Sequence, residues 1–400
     1  MPKHEFRLAV FNTQPPHLYF GGVERRILET AKRLENQAEI TIYSGTKGGF
    51  RQPITIDGIN FKPCFSTDKV FPLDNWFFNR SLIRKANVIE NDIFEAHGVS
   101  GYSFPKTLSK LDINKPFVHT IHGVLADEYE QAKKSGDSSF RGRIANYLMK
   151  HLSKLEKKTA EKASLIVTIS NYSKQMILKH YDIEASKIRI VPNGVDPGKF
   201  KPIKDSEYIR RQFGLGKDLN VLFVGSLIPR KGLIYLVNAA KVIVASQPNT
   251  KFIIVGDGPL KYELKDSVKA VNLSKNFMFM GNIKEEQLSA LYNCADVFVL
   301  PSIQEGQGIV ILEAQSSAKP IVAFDIGGVN EAVRNGETGL LVESGNTDAL
   351  AEGLLKILTD AQLRAKMGAN GRQFITENFT WDICAQKMLK IYRDALSTKR

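Results

Sequence analysis

Short runs of Val, Ile, Leu and Phe recur along the chain, and between them apolar residues return at three- and four-residue intervals. In the first half the runs are RLAVF (7–11), EITIY (39–43), DIFEAH (92–97), PFVHTIH (116–122), LIVTIS (165–170) and KIRIV (187–191). In the second half they are NVLFVG (220–225), KFIIVG (251–256), NFMFMG (276–281), DVFVL (296–300), PIVAF (320–324) and GLLV (339–342). Near-continuous apolar runs of this length predict strands buried on both faces, with amphipathic helices covering them. Two such sets predict an α/β chain of two doubly wound, Rossmann-like domains. The break falls at VPNGVDPGKFKP (191–202), where prolines and glycines stop regular structure. It divides the chain into residues 1–195 and 196–379, with 380–400 a candidate to join the first domain. In that last stretch, TWDICAQKMLKIYRDAL (380–396), Ile383, Met388, Leu389 and Ile391 need a surface to cover. Open parallel sheets bind ligands beyond the carboxyl ends of their strands, so the expected site is a cleft between the domains, lined by loops that follow strands.

Composition bears on the setting more than on the fold. With 43% hydrophobic and 24% charged residues, a 400-residue chain can bury two cores of ordinary size. No apolar run reaches the roughly 18–20 residues of a membrane-spanning helix, and MPKHEFRLAVFNTQPP reads as a first strand, not a secretory signal. Cys64, Cys294 and Cys384 form no C-x-x-C pair, which argues against a disulfide framework or zinc site and for a cytoplasmic setting. The net charge of +13 is uneven, because residues 1–195 carry 29 Lys and Arg against 20 Asp and Glu. A basic first half suits an anionic partner: a membrane surface, a phosphorylated substrate or nucleic acid.

Several loops after strands carry chemistry. In VGSLIPRKG (224–232), Gly225 permits a tight turn, Gly232 lets a helix begin, and Arg230 and Lys231 stand at its start. A helix N-terminus already attracts anions, and Arg with Lys makes a diphosphate site. After the first strand, GGVE (21–24) places Gly21 and Gly22 where the backbone passes close to a ligand. HTIHG (119–123) ends a strand with His119 predicted buried and His122 at the ligand end. In PSIQEGQGIVILEAQ (301–315), Glu305 falls in a glycine-rich loop with Gly306 and Gly308, and Glu313 in the second turn of an apolar helix. Backbone N–H groups at residues 307–310, Ile309 and Val310 among them, would point at the same anion as Arg230 and Lys231. A buried carboxylate needs hydrogen-bond donors, and sugar hydroxyls supply them. The combination suits a nucleotide sugar.

This constellation resembles the retaining, nucleotide-sugar-dependent glycosyltransferases of family 4, which have the GT-B fold, over nearly the full length of the chain. Glu305 and Glu313 match the family's E-x7-E signature in its PS…EG.G…LEA context, and GGVE, VPNGVD and VGDGP (255–259) match as well. The chain departs from the family pattern at Ser226, where Arg is common, and at Gln307, where an aromatic is frequent; Arg230 stands near enough to substitute for the first. The resemblance implies hexosyl transfer in which diphosphate departs and the acceptor hydroxyl arrives on one face of the sugar. It makes Glu305, His122 and Lys231 the catalytic residues. Glu305 would hold hydroxyls of the transferred sugar, His122 would orient that sugar, and Lys231 with Arg230 would stabilise the departing diphosphate. Gly21, Gly22, Arg230, Lys231, Gly306, Gly308, Ile309, Val310 and Glu313 would bind substrate, with Glu313 on the ribose and Gly22 by the donor phosphate. No metal or other cofactor is implied, and Asp182–Glu184 and Asp205–Glu207 read as surface or helix-start charges. UDP is favoured by its frequency in the family.

The acceptor is expected on the first domain, where the positive charge is. In SSFRGRIANYLMKHLSKLEKKTAEK (138–162), Ile144, Tyr147, Leu148, Leu152 and Leu155 recur at helical spacing among Arg141, Arg143, Lys150, Lys154, Lys157, Lys158 and Lys162. That is either a helix with its apolar face in the core or a basic surface for anionic lipid. FPLDNWFFNRSLIRK (71–85) sets Trp76, Phe77 and Phe78 beside Arg80, Arg84 and Lys85. The expectation is a peripheral enzyme at the inner face of the membrane, acting on a lipid-linked or cell-surface glycan. A nucleotide-sugar epimerase or a non-catalytic nucleotide-sugar binding protein would use the same residues without an acceptor. A dinucleotide dehydrogenase is disfavoured because GDGPLK (256–261) has Lys261 where the third glycine belongs. A nucleic-acid binder would account for the charge but not for the glycines and glutamates, and no nucleic acid is expected as partner.

Overall fold

The structure is a computed structural model and describes residues 4–19, 21–67, 73–134, 140–203 and 206–398. It contains two compact units, Met1–Asn193 with Trp381–Arg400, and Gly194–Thr380.

The first unit is built on β1 (Phe6–Asn12), β2 (Ala38–Gly45), β3 (Ile54–Ile56), β4 (Ile59–Cys64), β5 (Ile93–His97), β6 (Phe117–Ile121), β7 (Leu165–Thr168) and β8 (Ile188–Ile190). Its helices are α1 (Gly22–Leu34), α2 (Leu73–Lys85), α3 (Phe104–Lys110), α4 (Leu125–Lys134), α5 (Phe140–Lys162) and α6 (Asn171–His180). The sheet order is β3-β4-β2-β1-β5-β6-β7-β8, parallel except for the β3–β4 pair. From β1 the chain winds first to β2 and then returns to β5 on the other side, so the order reverses between β1 and β5. That reversal leaves a crevice at the carboxyl ends of these two strands. The β3–β4 hairpin is absent from the strands read off the sequence. Its turn is Asp57–Gly58 with φ of 48° and 73°, the Asp-Gly pair that a two-residue hairpin favours, and β3 is an exposed edge strand.

The second unit contains β9 (Asn220–Val224), β10 (Lys251–Val255), β11 (Phe277–Gly281), β12 (Val297–Leu300), β13 (Ile321–Phe324) and β14 (Gly339–Val342). They form an all-parallel sheet in the order β11-β10-β9-β12-β13-β14. The covering helices are α7 (Ser206–Gln212), α8 (Leu233–Ser246), α9 (Lys261–Ala270), α10 (Glu285–Cys294), α11 (Ile309–Ser316), α12 (Val329–Ala332), α13 (Thr347–Thr359) and α14 (Ala361–Asn378). The buried runs Val221–Phe223, Phe252–Ile254 and Val297–Leu300 make the middle of its core, as strands covered on both faces require. Here the order reverses between β9 and β12.

The last helix, α15 (Trp381–Ser397), returns to the first unit and packs along α1. Trp381, Cys384, Ala385, Met388, Ile391, Tyr392 and Ala395 are the residues it buries. Its register differs from the sequence reading at Ile383 and Leu389, which are only half-buried. Cys64, Cys294 and Cys384 are buried free thiols, and burial pushes Cys64 up to about 12. Asp182, Glu184 and Glu207 are exposed, and Asp205 lies outside the described residues. Phe71, Pro72, Ser138 and Ser139 lie outside them too. Among the described residues no helix is long and apolar enough to cross a membrane.

Candidate active site

In the second unit, the loops that follow β9 and β12 meet at the point where the sheet order reverses. The chain leaves β9 through Gly225 to Ile228, forms a 3-10 turn at Pro229–Lys231, and enters α8 at Leu233. Gly232 joins the turn to the helix with φ of 63°, and a Cβ there would lie 1.9 Å from the Pro301 carbonyl oxygen. Only glycine allows that approach. The two loops are then tied by the backbone: Ile303 N–H donates to Arg230 O at 2.8 Å, and Arg230 Nη1 donates to Gln304 O at 3.3 Å.

This contact carries Lys231 to Glu305. Their ammonium and carboxylate form an ion pair with both side chains largely buried. Burial pushes the Glu305 carboxyl up, but the charges of Lys231 and Arg230 and the Gly306 N–H outweigh it and hold the group below its ordinary range. Glu305 is therefore a carboxylate at neutral pH, and Lys231 spends one of its three donors on it. Two polar atoms beside the pair, Ser302 Oγ and Gln304 Nε2, are buried without a hydrogen-bond partner. Sequence reasoning did not single them out, and only their burial marks them.

Gly308 caps α11 with φ of 87°, and Ile309 and Val310 open the helix. The first N–H groups of a helix have no acceptor within it. One turn further on, Glu313 is buried and accepts a 2.8 Å hydrogen bond from the Tyr292 hydroxyl of α10. Gln307 is buried and Ser226 exposed. Lys261, in place of a third glycine, starts α9 and bonds Asp257 at 2.7 Å.

In the first unit, Gly21 caps α1 in extended conformation and Gly22 is its first residue. Glu24 is buried three positions after the cap and accepts from Asn12 Nδ2 at 3.2 Å. A Cβ on Gly21 would lie 2.2 Å from Glu24 Oε2, so this carboxylate already sits at the helix start. At the ends of β5 and β6, His122 Nε2 lies 2.9 Å from His97 Nδ1. His119 is fully buried, as its strand position predicts, and bonds Gly98 O at 2.7 Å. Burial holds all three imidazoles below the ordinary histidine range, His119 at about 4.

Behind the histidines stands a buried polar group that the sequence reading missed. Glu95 Oε1 is 3.4 Å from His97 Nε2 and accepts from Thr120 Oγ1, while Glu95 Oε2 accepts from the Tyr392 hydroxyl of α15 at 2.5 Å. Arg26 is buried nearby and donates to Val191 O at 2.9 Å and Asn193 Oδ1 at 3.0 Å. Arg26, Glu95, His97 and Tyr392 line a cavity of about 10 Å³, room for one water. The only sequence signal was EAHG at a strand end, since Arg26 and Tyr392 come from helices far away in the chain.

The family model for glycosyltransferase family 4 matches residues 20–199 and that for glycosyl transferases group 1 matches 205–374. The UDP-Gal:alpha-D-GlcNAc-diphosphoundecaprenol alpha-1,3-galactosyltransferase of Escherichia coli is 31% identical over 288 residues, 70% of each chain. The chain is a family 4-type glycosyltransferase. Solved structures share its two-domain GT-B fold. Sucrose-phosphate synthase from Thermosynechococcus elongatus superposes with a TM-score of 0.85 at 22% identity, covering 98% of this chain and 100% of that one. Anabaena HepE, in a complex with UDP-glucose, superposes with a TM-score of 0.78 at 20% identity, covering 97% and 100%. The glycosyltransferase thus has the expected fold and class of activity, and its sheet reversals fall at the loops just described.

Proposed function

We propose that the glycosyltransferase moves a hexosyl group from a nucleotide sugar, with a UDP-sugar favoured, to a hydroxyl of a lipid-linked or cell-surface glycan, with retention and without metal. The observation that carries this reading is the buried Lys231–Glu305 pair at the sheet reversal. It holds a carboxylate for sugar hydroxyls and a cation for diphosphate within one side-chain contact. The names of the relatives support the donor class, since the Escherichia coli enzyme is a UDP-Gal transferase and the Anabaena protein binds UDP-glucose.

In this reading the bond between the anomeric carbon and the diphosphate oxygen breaks while the acceptor oxygen bonds the same carbon on the same face. The acceptor's proton passes to the departing diphosphate. Lys231, Arg230 and the N–H groups of Ile309 and Val310 stabilise the charge that develops there, each such donor being worth about 10²–10³ in rate. Glu305, with Gly306 and Gly308 shaping its loop, holds the transferred sugar, and Glu313 the ribose. Gly21 and Gly22 admit the donor phosphate to the start of α1, and His122 orients the sugar.

The test is nucleoside diphosphate release from a panel of UDP- and GDP-sugars, with chelator, in the presence and absence of membrane lipid extract. Lipid-dependent release from one donor that survives chelator is the expected result. Release that needs a divalent ion overturns metal independence, and conversion of the donor sugar without release makes the protein an epimerase.

A further inference from the structure

The apolar stripe of α5 is not closed into the core. Leu152 alone of the five predicted positions is fully buried; Tyr147 is 67% and Ile144 45% exposed. Glu156, four positions after Leu152, anchors the flank of α5 next to that residue, accepting from Leu125 N–H at 3.0 Å and from the Tyr181 hydroxyl. Across from the stripe, α2 presents Trp76, 47% exposed, with Phe77 packed edge-on against it at 4.8 Å. Together Leu73, Trp76, Phe77, Tyr147, Leu148 and Leu155 line an open cavity of about 430 Å³. That volume is within the roughly 300–1,000 Å³ of small-ligand sites. An apolar cavity of this size with a large tryptophan at its wall is uncommon on a free surface.

The rim decides what fits. Arg143, Lys150 and Lys154 are four residues before, three after and seven after Tyr147, which puts them along the same helix face. All three are exposed. On α2, the Arg80 guanidinium lies 5.7 Å from the Trp76 ring. The cavity therefore offers an apolar interior under a cationic edge, the complement of a hydrocarbon chain with a phosphate head.

We propose that this cavity of the first unit binds the hydrocarbon chain of a phosphate-bearing lipid acceptor, with Arg80, Arg143, Lys150 and Lys154 at the head group. The inference rests on the lipid-linked acceptor reading and makes it specific: one chain enters the protein, beyond adhesion of a basic helix to a bilayer.

Trp76 makes the test direct, because the second tryptophan, Trp381, is 2% exposed. The full-length protein is titrated with dodecyl phosphate brominated at the chain end, below its micelle concentration, and tryptophan emission is followed. Saturable quenching is expected, absent in Trp76→Phe and weakened by about tenfold or more in Kd by Tyr147→Glu and by the cavity-filling Leu148→Trp. Circular dichroism and melting temperature check that each variant folds, and exposed Tyr147 is the safer of the two. Equal quenching in Trp76→Phe, or none in the parent protein, overturns the site. Equal affinity for a brominated dodecyl glycoside overturns the phosphate part. Sedimentation velocity showing a dimer that shields Trp76 from acrylamide replaces the lipid with a second copy of the chain. Quenching without lipid-dependent diphosphate release leaves the cavity and removes the acceptor reading; release that Tyr147→Glu leaves unchanged, without quenching, does the reverse.

Discussion

His97 Nδ1 stands 2.9 Å from His122 Nε2, with the two rings stacked 5.1 Å apart at 19°. Both imidazoles are held neutral by burial, so one N–H is shared between them and the protonation of the other two ring nitrogens follows from which ring donates it. His97 Nε2 lies 3.4 Å from Glu95 Oε1 without a hydrogen bond to it, and burial pushes the Glu95 carboxyl up. The Tyr392 hydroxyl on Glu95 links this cluster to α15, which gives the last helix a reason to return to the first unit.

If His97 works through His122, their losses do not add. His122→Ala is expected to lower kcat by about 10²–10³ and His97→Ala by about tenfold. The double variant should match His122→Ala alone, as residues acting in series do. Steady-state kinetics of the four proteins decide it, and additive losses refute the coupling.

The Lys231–Glu305 pair separates stability from activity. Lys231→Ala leaves Glu305 buried without its cation, which for such pairs costs about 3–5 kcal/mol of stability, and also removes charge stabilisation worth about 10²–10³ in kcat. Lys231→Met combined with Glu305→Gln takes both charges out of the loop. Urea unfolding should then return close to the parent value while transfer stays lost. Recovery of both would make the pair purely structural.

Gly232 tests the contact between the loops. An alanine there must hold φ near 63° and put its Cβ on the Pro301 carbonyl, so the loops have to separate. Gly232→Ala should raise the donor KM by about tenfold or more and cost about 1–3 kcal/mol in backbone strain. Donor titration of the purified variant measures the first and its melting curve the second.

Glu156 sets a pH dependence on the first unit. Burial pushes its carboxyl up to about 8 from an ordinary 4.5, so between those values the folded chain keeps a proton that the unfolded chain has released. The stability this group contributes is complete below the unfolded value and is lost as pH rises through about 8. Glu156→Gln keeps an acceptor for Leu125 N–H and the Tyr181 hydroxyl but cannot ionise. Its melting temperature should equal the parent's near pH 5 and exceed it by several degrees near pH 9. Parallel curves would refute the shift.

The strands, their parallel packing and the two-domain division were legible in the sequence because a strand buried on both faces must be apolar throughout. Lys231 and Glu305 were legible too, as charges beside glycines in loops after strands, and Glu313 as a carboxylate inside an apolar helix. What only the tertiary structure decided is what those charges face. Lys231 is 74 positions from Glu305, and their pairing depends on β9 and β12 being neighbours in the sheet. Tyr392 is 297 positions from Glu95, and nothing in local periodicity can report such a bond. The same holds for α5, whose spacing gives an apolar stripe but not whether core or cavity receives it. Local pattern sets which face of an element is apolar; the packing of distant elements sets what covers it.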